Sequence, residues 1–411
     1  MVTTYIHTLR LFNRDVRLYL ISAALIGFTF LGIYAVLFNL YLLRLGYGPE
    51  FIGTVNGVSQ LGFALFSLPA GGLGRLWGNR RMLITGLCLT GIGLAFLPFA
   101  ELIGANFQGV WLLITYSIAW IGADLYFVNG WPYLMAATGN RERNHVFSVR
   151  ESIFPFVGFA GSLVGGLLPG FLASALGYSL NNPAPYRFSL AIATILFLPA
   201  AVFVMKTRPA RIEQVRGQVD EGGSFPIGPI ALVAFFMLLR MAGWGTIHTF
   251  FNVYLDDGLG ISTSRIGTIS AISQLLSVPA VLTMPLLVRR WGQSRLIALG
   301  TLGMAAGILP MVVFPHWSAA GVGLISISAL AAITFPPLQI YLMETVAPGW
   351  RGTMSGAIIM SAGLSRASMS FGGGYIISTK GYPTLFLLSA SLTAVSILVF
   401  WIYFRMQGRI N

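Results

Sequence analysis

Three charged residues, Asp124, Arg240 and Arg366, stand near the middle of long apolar runs, where charge is costly. Ionisable groups in hydrocarbon face an interior or a wet cavity, pair with one another, and mark pathways. Asp124 has two readings. It is a carboxylate that binds a proton or contacts a cation, or a structural aspartate bonded to a neighbouring hydroxyl or an arginine. Arg240 and Arg366 either contact an anionic group of a ligand, which the planar guanidinium fork suits, or neutralise acids inside the fold. Arg150 and Glu151 lie a turn inside the end of a further run. Snorkelling to the interface explains Arg150 most simply; Glu151 is harder to dismiss and stays a pathway candidate.

Aromatic and amide groups add a second layer. Tyr34 and Asn39 share one run, Asn129, Trp131 and Tyr133 another, and Trp244, His248 and Asn252 a third. The last three are spaced four apart, which places them on one face of a helix. Mixed aromatic and hydrogen-bonding walls suit organic solutes of moderate size, although Trp and Tyr near the ends of apolar runs also act as interfacial anchors. His248 either titrates near neutral pH or serves as a plain hydrogen-bond partner.

Other chemistries find no footing. The two lysines, Lys206 and Lys380, fit no phosphate-binding loop, so the chain carries no ATP-driven motor of its own. His7, His145, His248 and His316 are scattered and Cys88 is alone, which argues against a zinc centre, an intrachain disulfide or any metal site. No extramembrane stretch is long enough for a catalytic domain. We expect no cofactor and no enzyme.

The elements that must position these groups follow from composition. The chain of 411 residues is 56% hydrophobic and 9% charged, with mean hydropathy +0.78, far too apolar for an ordinary soluble domain. A crossing helix needs about 20 apolar residues. Twelve runs qualify: 17–43, 51–74, 82–103, 110–137, 147–175 and 186–205, then 227–255, 264–288, 296–315, 319–345, 354–378 and 382–405. The net charge of +13 comes mostly from arginines in the short gaps, a topology signal rather than one for nucleic acid. With the N-terminus inside, eighteen cations fall on the cytoplasmic side and four on the other, so both termini are expected in the cytoplasm. No cleavable signal peptide is evident in the mixed first residues, which carry Arg10, Arg14 and Asp15. Residues 206–226 read as a cytoplasmic linker between an N-terminal six-helix bundle (1–205) and a C-terminal one (227–411).

The two bundles repeat one pattern. Phe38-Asn39-Leu40-Tyr41-Leu42 returns as Phe251-Asn252-Val253-Tyr254-Leu255, and Ser59-Gln60-Leu61 and Trp77-Gly78 return as Ser273-Gln274-Leu275 and Trp291-Gly292. Two related bundles around one cleft is a common build for solute carriers. Span five places Gly158, Gly161, Gly165 and Gly170 largely on one side, suited to close helix packing. Gly372-Gly373-Gly374 is expected to interrupt span eleven.

The stretch Gly71-Gly72-Leu73-Gly74-Arg75-Leu76-Trp77-Gly78-Asn79-Arg80-Arg81 resembles the signature loop of the major facilitator superfamily, G-x-L-a-D-r-x-G-r-R. Gly71, Leu73, Gly78 and Arg80 match it. Arg289-Arg290-Trp291-Gly292-Gln293-Ser294-Arg295 is a degenerate second copy. The resemblance in architecture spans almost the whole chain and implies an all-α integral membrane fold of twelve transmembrane helices in two pseudo-symmetric six-helix bundles. One departure matters: the family's acid is replaced by Arg75, and Arg289 stands there in the second copy. A latch for this cytoplasmic gate must use another acid, and Glu344 facing Arg289, Arg290 or Arg351 is the best candidate; the alternative is a solvated interface carboxylate.

The resemblance further implies that spans four, seven and eleven line a central cavity. The expected function is secondary active transport of a small organic solute by alternating access, with proton-coupled efflux through Asp124 and with general similarity to bacterial efflux members. Uptake of an anionic or amphipathic solute is the alternative, and a non-transporting receptor the remote one. The expected partners are a small-molecule solute, protons and the lipid bilayer, with no nucleic acid. The expected state is a monomeric multi-pass protein of the inner cell membrane.

Overall fold

The structure is a computed structural model and describes residues 12–139, 143–209, 227–343, 346 and 351–406. Most of the expected linker 206–226, all of Glu344, and the side chains of Arg75 and Arg351 lie outside the described residues.

Twelve long helices form among the described residues. They are α1 (Arg14–Arg44), α2 (Pro49–Trp77), α3 (Asn79–Leu102, ending in a 3-10 turn), α4 (Ala105–Ala137), α5 (Arg143–Leu176) and α6 (Ala184–Met205). Then follow α7 (Ile227–Gly258), α8 (Thr263–Trp291), α9 (Gln293–Val313), α10 (Trp317–Met343), α11 (Arg351–Lys380) and α12 (Tyr382–Met406). Each expected span falls on one helix, its ends within five residues. Most helices overrun the apolar run because backbone hydrogen bonding continues into the charged flanks. In lipid this is the form that satisfies every backbone polar group internally.

Among the described residues, ten of the twelve are long and apolar enough to cross a membrane on their own composition. Helices α2 and α11 carry polar groups turned inward: Asn56, Ser59, Gln60 and Ser67 on α2, and Ser361, Ser365 and Ser370 on α11, are all buried.

The chain divides into two compact units, residues 1–41 with 65–215, and 42–64 with 216–411. In the first, α1 widens into a π-helical stretch over Gly27–Tyr34 where α5 crosses it. A Cβ on Gly161 would lie 2.0 Å from the Phe28 carbonyl oxygen and 2.9 Å from Gly32 Cα, so only glycine fits this crossing. Helices α3 and α4 meet as closely, Gly86 against the Gly122 carbonyl.

The second unit repeats both crossings. Gly245, the counterpart of Gly32 at the repeat offset of 213, lies where α7 meets α11, and Gly300 of α9 lies against Thr334 of α10. Internal duplication explains why the same pairs of helices touch at equivalent points.

The turns after α2 and α8 are also equivalent. Gly78 (φ +88°) and Gly292 (φ +78°) hold left-handed conformations that a Cβ would strain. These are the glycines of the two loop copies.

One expectation is corrected. Helix α11 runs unbroken through Gly372–Gly374. Gly373 lies against Phe250 and Leu385, and a Cβ on Gly374 would lie 2.4 Å from the Pro49 carbonyl. These glycines permit close approach rather than breaking the helix.

Candidate functional site

Asp124 lies fully buried in α4 and accepts a hydrogen bond from Ser67 Oγ of α2 at 2.8 Å. One turn on, Asn129 Nδ2 donates to the Ala70 carbonyl of α2 (3.2 Å) and to the Leu125 carbonyl of its own helix (2.9 Å). Asp124 and Asn129 therefore both bind α2, the first through a side-chain hydroxyl, the second through backbone.

In the second unit, α7 and α11 are fastened at successive levels. Ser365 Oγ donates to the Leu238 carbonyl (2.6 Å), Gly245 meets Arg366, and Thr249 and Ser370 share a hydroxyl bond of 2.7 Å. Partners climb together along both helices, which therefore run parallel. Trp244, His248 and Asn252 are half-buried, whereas every position between them is buried. A lipid-facing stripe would be aliphatic; this one carries an indole, an imidazole and an amide. Trp244 and His248 stack at 4.9 Å with their planes 20° apart. The Arg366 guanidinium lies 5.1 Å from the ring centre of Phe63 on α2. Trp244 and His248 thus lie on the helix that meets Arg366 at Gly245, and Phe63 packs against the Arg366 guanidinium.

Arg240 is fully buried elsewhere in the unit. Its Nε donates to Thr301 Oγ1 of α9 (3.1 Å) and Nη2 to Thr334 Oγ1 of α10 (2.7 Å), while Nη1 has no hydrogen-bond partner among the described residues. Threonine hydroxyls satisfy part of the cation.

Several expected lining residues are committed to packing. The Tyr34 hydroxyl sits between α3 and α6, 2.6 Å from Thr194 Oγ1 and within 3.2 Å of the Leu94 and Leu190 carbonyls. Asn39 is buried. Trp131 is exposed and stacks on Phe147 at 4.8 Å. The snorkelling expected of Arg150 is corrected: it is 3% exposed, 4.7 Å over Trp131, with its Nε–H donated to the Tyr19 hydroxyl at 3.4 Å. Aromatic faces hold the cation where the sequence suggested water would. Arg150 also pairs with Glu151, whose own side chain is exposed.

Among the gate-loop residues, Arg80 donates to the Thr207 carbonyl (2.8 Å) and the Met205 carbonyl, capping the C-terminal end of α6. Leu73 packs against the Ala70, Met82 and Leu125 cluster, and Gly71 faces Val128. Arg289 and Arg290 are exposed.

Sequence reasoning missed one contact at the far ends of α1 and α7. Arg44 forms a two-pronged pair with Asp256, both bonds 2.7 Å, and neighbouring Asp257 accepts from the Tyr382 hydroxyl at 2.9 Å. Both charges of the pair are largely shielded, with side-chain exposures of 17% and 10%. A double-mutant cycle with Arg44→Ala and Asp256→Ala should give a coupling of about 1–3 kcal/mol in thermal stability. A coupling under about 0.5 kcal/mol would reduce it to an ordinary exposed pair.

The curated relatives agree with this architecture. The chain is 26% identical over 343 residues to "Multidrug resistance protein MdtH" of Aeromonas hydrophila, covering 81% of this chain and 79% of the relative. It is 23% identical over 253 residues to "Uncharacterized MFS-type transporter YxaM" of Bacillus subtilis, covering 59% of each. Among solved structures, the D-xylose-proton symporter superposes with a TM-score of 0.76 at 15% identity, covering 97% of each chain. The inward-open xylose transporter XylE of E. coli gives 0.74 at 15% identity, covering 94% of this chain and 96% of that one. The family model described as Major Facilitator Superfamily matches residues 19–369 and 233–409, which together take in nearly every helix. With twelve helices, the duplicated crossings and that match, this chain belongs to the Major Facilitator Superfamily, as a secondary transporter of the cell membrane.

Proposed function

We propose that this transporter exports small organic solutes in exchange for protons, with Asp124 as the proton-binding group. The observation that carries the reading is a carboxyl excluded from water, midway along α4, that accepts a hydrogen bond from the Ser67 hydroxyl. Water reaches so buried a group only when the surrounding helices move, which ties proton exchange to a conformational change. The moving parts are the halves 1–205 and 227–411, joined by 206–226, working as a monomer with both termini in the cytoplasm. Trp244, His248 and Arg366 form the solute-facing wall in the second half. The relatives named for multidrug resistance support export over uptake.

Purified protein in vesicles carrying an internal pH dye tests this directly. Addition of transported solute should move protons in fixed ratio to solute, and collapse of the proton gradient should abolish accumulation. Solute flux indifferent to the gradient would remove proton coupling. Uptake of an anionic solute is the second reading, favoured by the two mid-span cations Arg240 and Arg366. Accumulation in right-side-out rather than inverted vesicles would select it.

A further inference from the structure

We propose that the turn between α2 and α3 holds one anionic phospholipid, its phosphate on Arg81, its ester on Thr85 and one acyl chain along the outer face of α3.

The site is an open pocket of about 410 Å³ lined by Trp77, Arg81, Met82, Ile84 and Thr85, all within the first unit. That volume falls in the range of about 300–1,000 Å³ of small-molecule sites, which is more than a bare ion fills. The two adjacent arginines have separate duties here. Arg80 is committed to the Thr207 and Met205 carbonyls at the end of α6. Arg81 is exposed, and among the described residues neither its guanidinium nor the Thr85 hydroxyl has a hydrogen-bond or ion-pair partner. Thr90, further along the same helix, bonds back to the Gly86 carbonyl at 2.9 Å, the usual way a helical hydroxyl is satisfied. Thr85 does not. A phosphate offers the guanidinium paired oxygens, and a lipid ester offers the hydroxyl an acceptor.

The outer face of α3 continues the pattern. Arg81, Thr85, Ile92, Phe96, Phe99 and Leu102 are exposed at spacings of three, four and seven, which places them on one face. Read from the turn inward, that face carries a cation, a hydroxyl and then hydrocarbon. A phospholipid presents the complementary order: phosphate, ester, acyl chain. Thr85 to Phe96 is eleven residues, about 16 Å along the helix, or half of a hydrocarbon core about 30 Å thick. Trp77, exposed on the α2 side of the pocket, suits the headgroup level. The head group must be anionic overall. The lining holds no acid, and Arg75, Arg80 and Arg81 make the turn basic, so a choline or ethanolamine cation would meet like charge there. A glycerol head meets none.

The internal repeat supplies a control. Arg295 stands at the position of Arg81, at the offset of 214, with Leu299 in place of Thr85. The full chain, delipidated in detergent, is titrated separately with phosphatidylglycerol, phosphatidylcholine and inorganic phosphate, and native mass spectrometry counts the adducts. One phosphatidylglycerol should bind saturably, about tenfold or more tighter than phosphatidylcholine. Arg81→Gln should weaken it by about tenfold or more, and Arg81→Lys by less, because charge remains without the fork. Thr85→Val should weaken it by about threefold or more, and it carries the test if the Arg81 variants fail to fold. Arg295→Gln should leave the affinity within about twofold of wild type. Equal affinity for phosphatidylcholine, wild-type affinity in Arg81→Gln, or an equal loss in Arg295→Gln overturns the assignment. Displacement of the lipid by inorganic phosphate overturns it too, since the pocket would then be a site for a free anion.

Discussion

Asp124→Asn should abolish proton-driven solute accumulation and leave solute–solute counterflow within about twofold of wild type. Asparagine keeps the shape of the side chain and an oxygen at the position where Ser67 donates its 2.8 Å bond, so the α2–α4 contact survives. What it loses is the ability to bind and release a proton. A carrier that conserves its binding wall but not its proton site still exchanges solute down a gradient, yet cannot use the proton gradient to concentrate it. The deficit in accumulation should be at least about tenfold, the equivalent of losing some 1.4 kcal/mol of driving force. The companion Ser67→Ala should retain coupling and lose only about 1 kcal/mol of stability, the ordinary worth of one hydrogen bond. Proton-to-solute ratios unchanged in Asp124→Asn would make this aspartate a structural residue that pins α4 to α2.

The helices were legible because lipid imposes a length and an apolarity that sequence displays directly. Arg80 and Arg81 close one span, Arg289 and Arg290 another, and the helices end close by. The repeat offset also carries over to geometry: Gly32 and Gly245, 213 apart, occupy matching helix crossings.

Rotation of each helix was far less legible. Within a membrane helix both the lipid face and the interior are apolar, so the amphipathic signal that orients a soluble helix is weak. Tyr34 and Trp244 look alike in sequence, an aromatic group midway in a span. Yet one hydroxyl is consumed between α3 and α6, and the other ring lies on a part-open stripe. What distinguishes Trp244 is its neighbours at four-residue spacing, His248 and Asn252, a polar face too long to be accidental. Phe63 gave no signal at all, being one phenylalanine among 30. Arg150 misled for a related reason: its aromatic enclosure comes from α1, α4 and α5 together, and no local pattern joins Tyr19 to Trp131.

Gly53→Val should slow transport by about tenfold or more through the contact between α2 and α11 rather than through the solute wall. A Cβ on Gly53 would lie 2.3 Å from the Ser370 carbonyl oxygen and 3.2 Å from Gly374 Cα, both backbone atoms that cannot rotate away. Gly57 on the same helix is a control. Its nearest neighbour is the Phe371 ring at 2.5 Å, a part-exposed side chain able to turn aside, so Gly57→Ala should be nearly silent. Overpacking of this kind costs about 1–3 kcal/mol. In a protein that alternates between two arrangements, that cost falls only on the one in which α2 and α11 touch, and each 1.4 kcal/mol shifts the balance about tenfold. The arrangement described here, with Arg44 on Asp256 and Glu50 on the Ser378 hydroxyl, should therefore lose population in Gly53→Val. A cysteine placed at Ser378 in a Cys88→Ser background reports the shift, since thiol labelling should accelerate when the seam opens. Slower transport with unchanged labelling, and a lowered melting temperature, would mean that the glycine seam only packs the protein and does not move in the cycle.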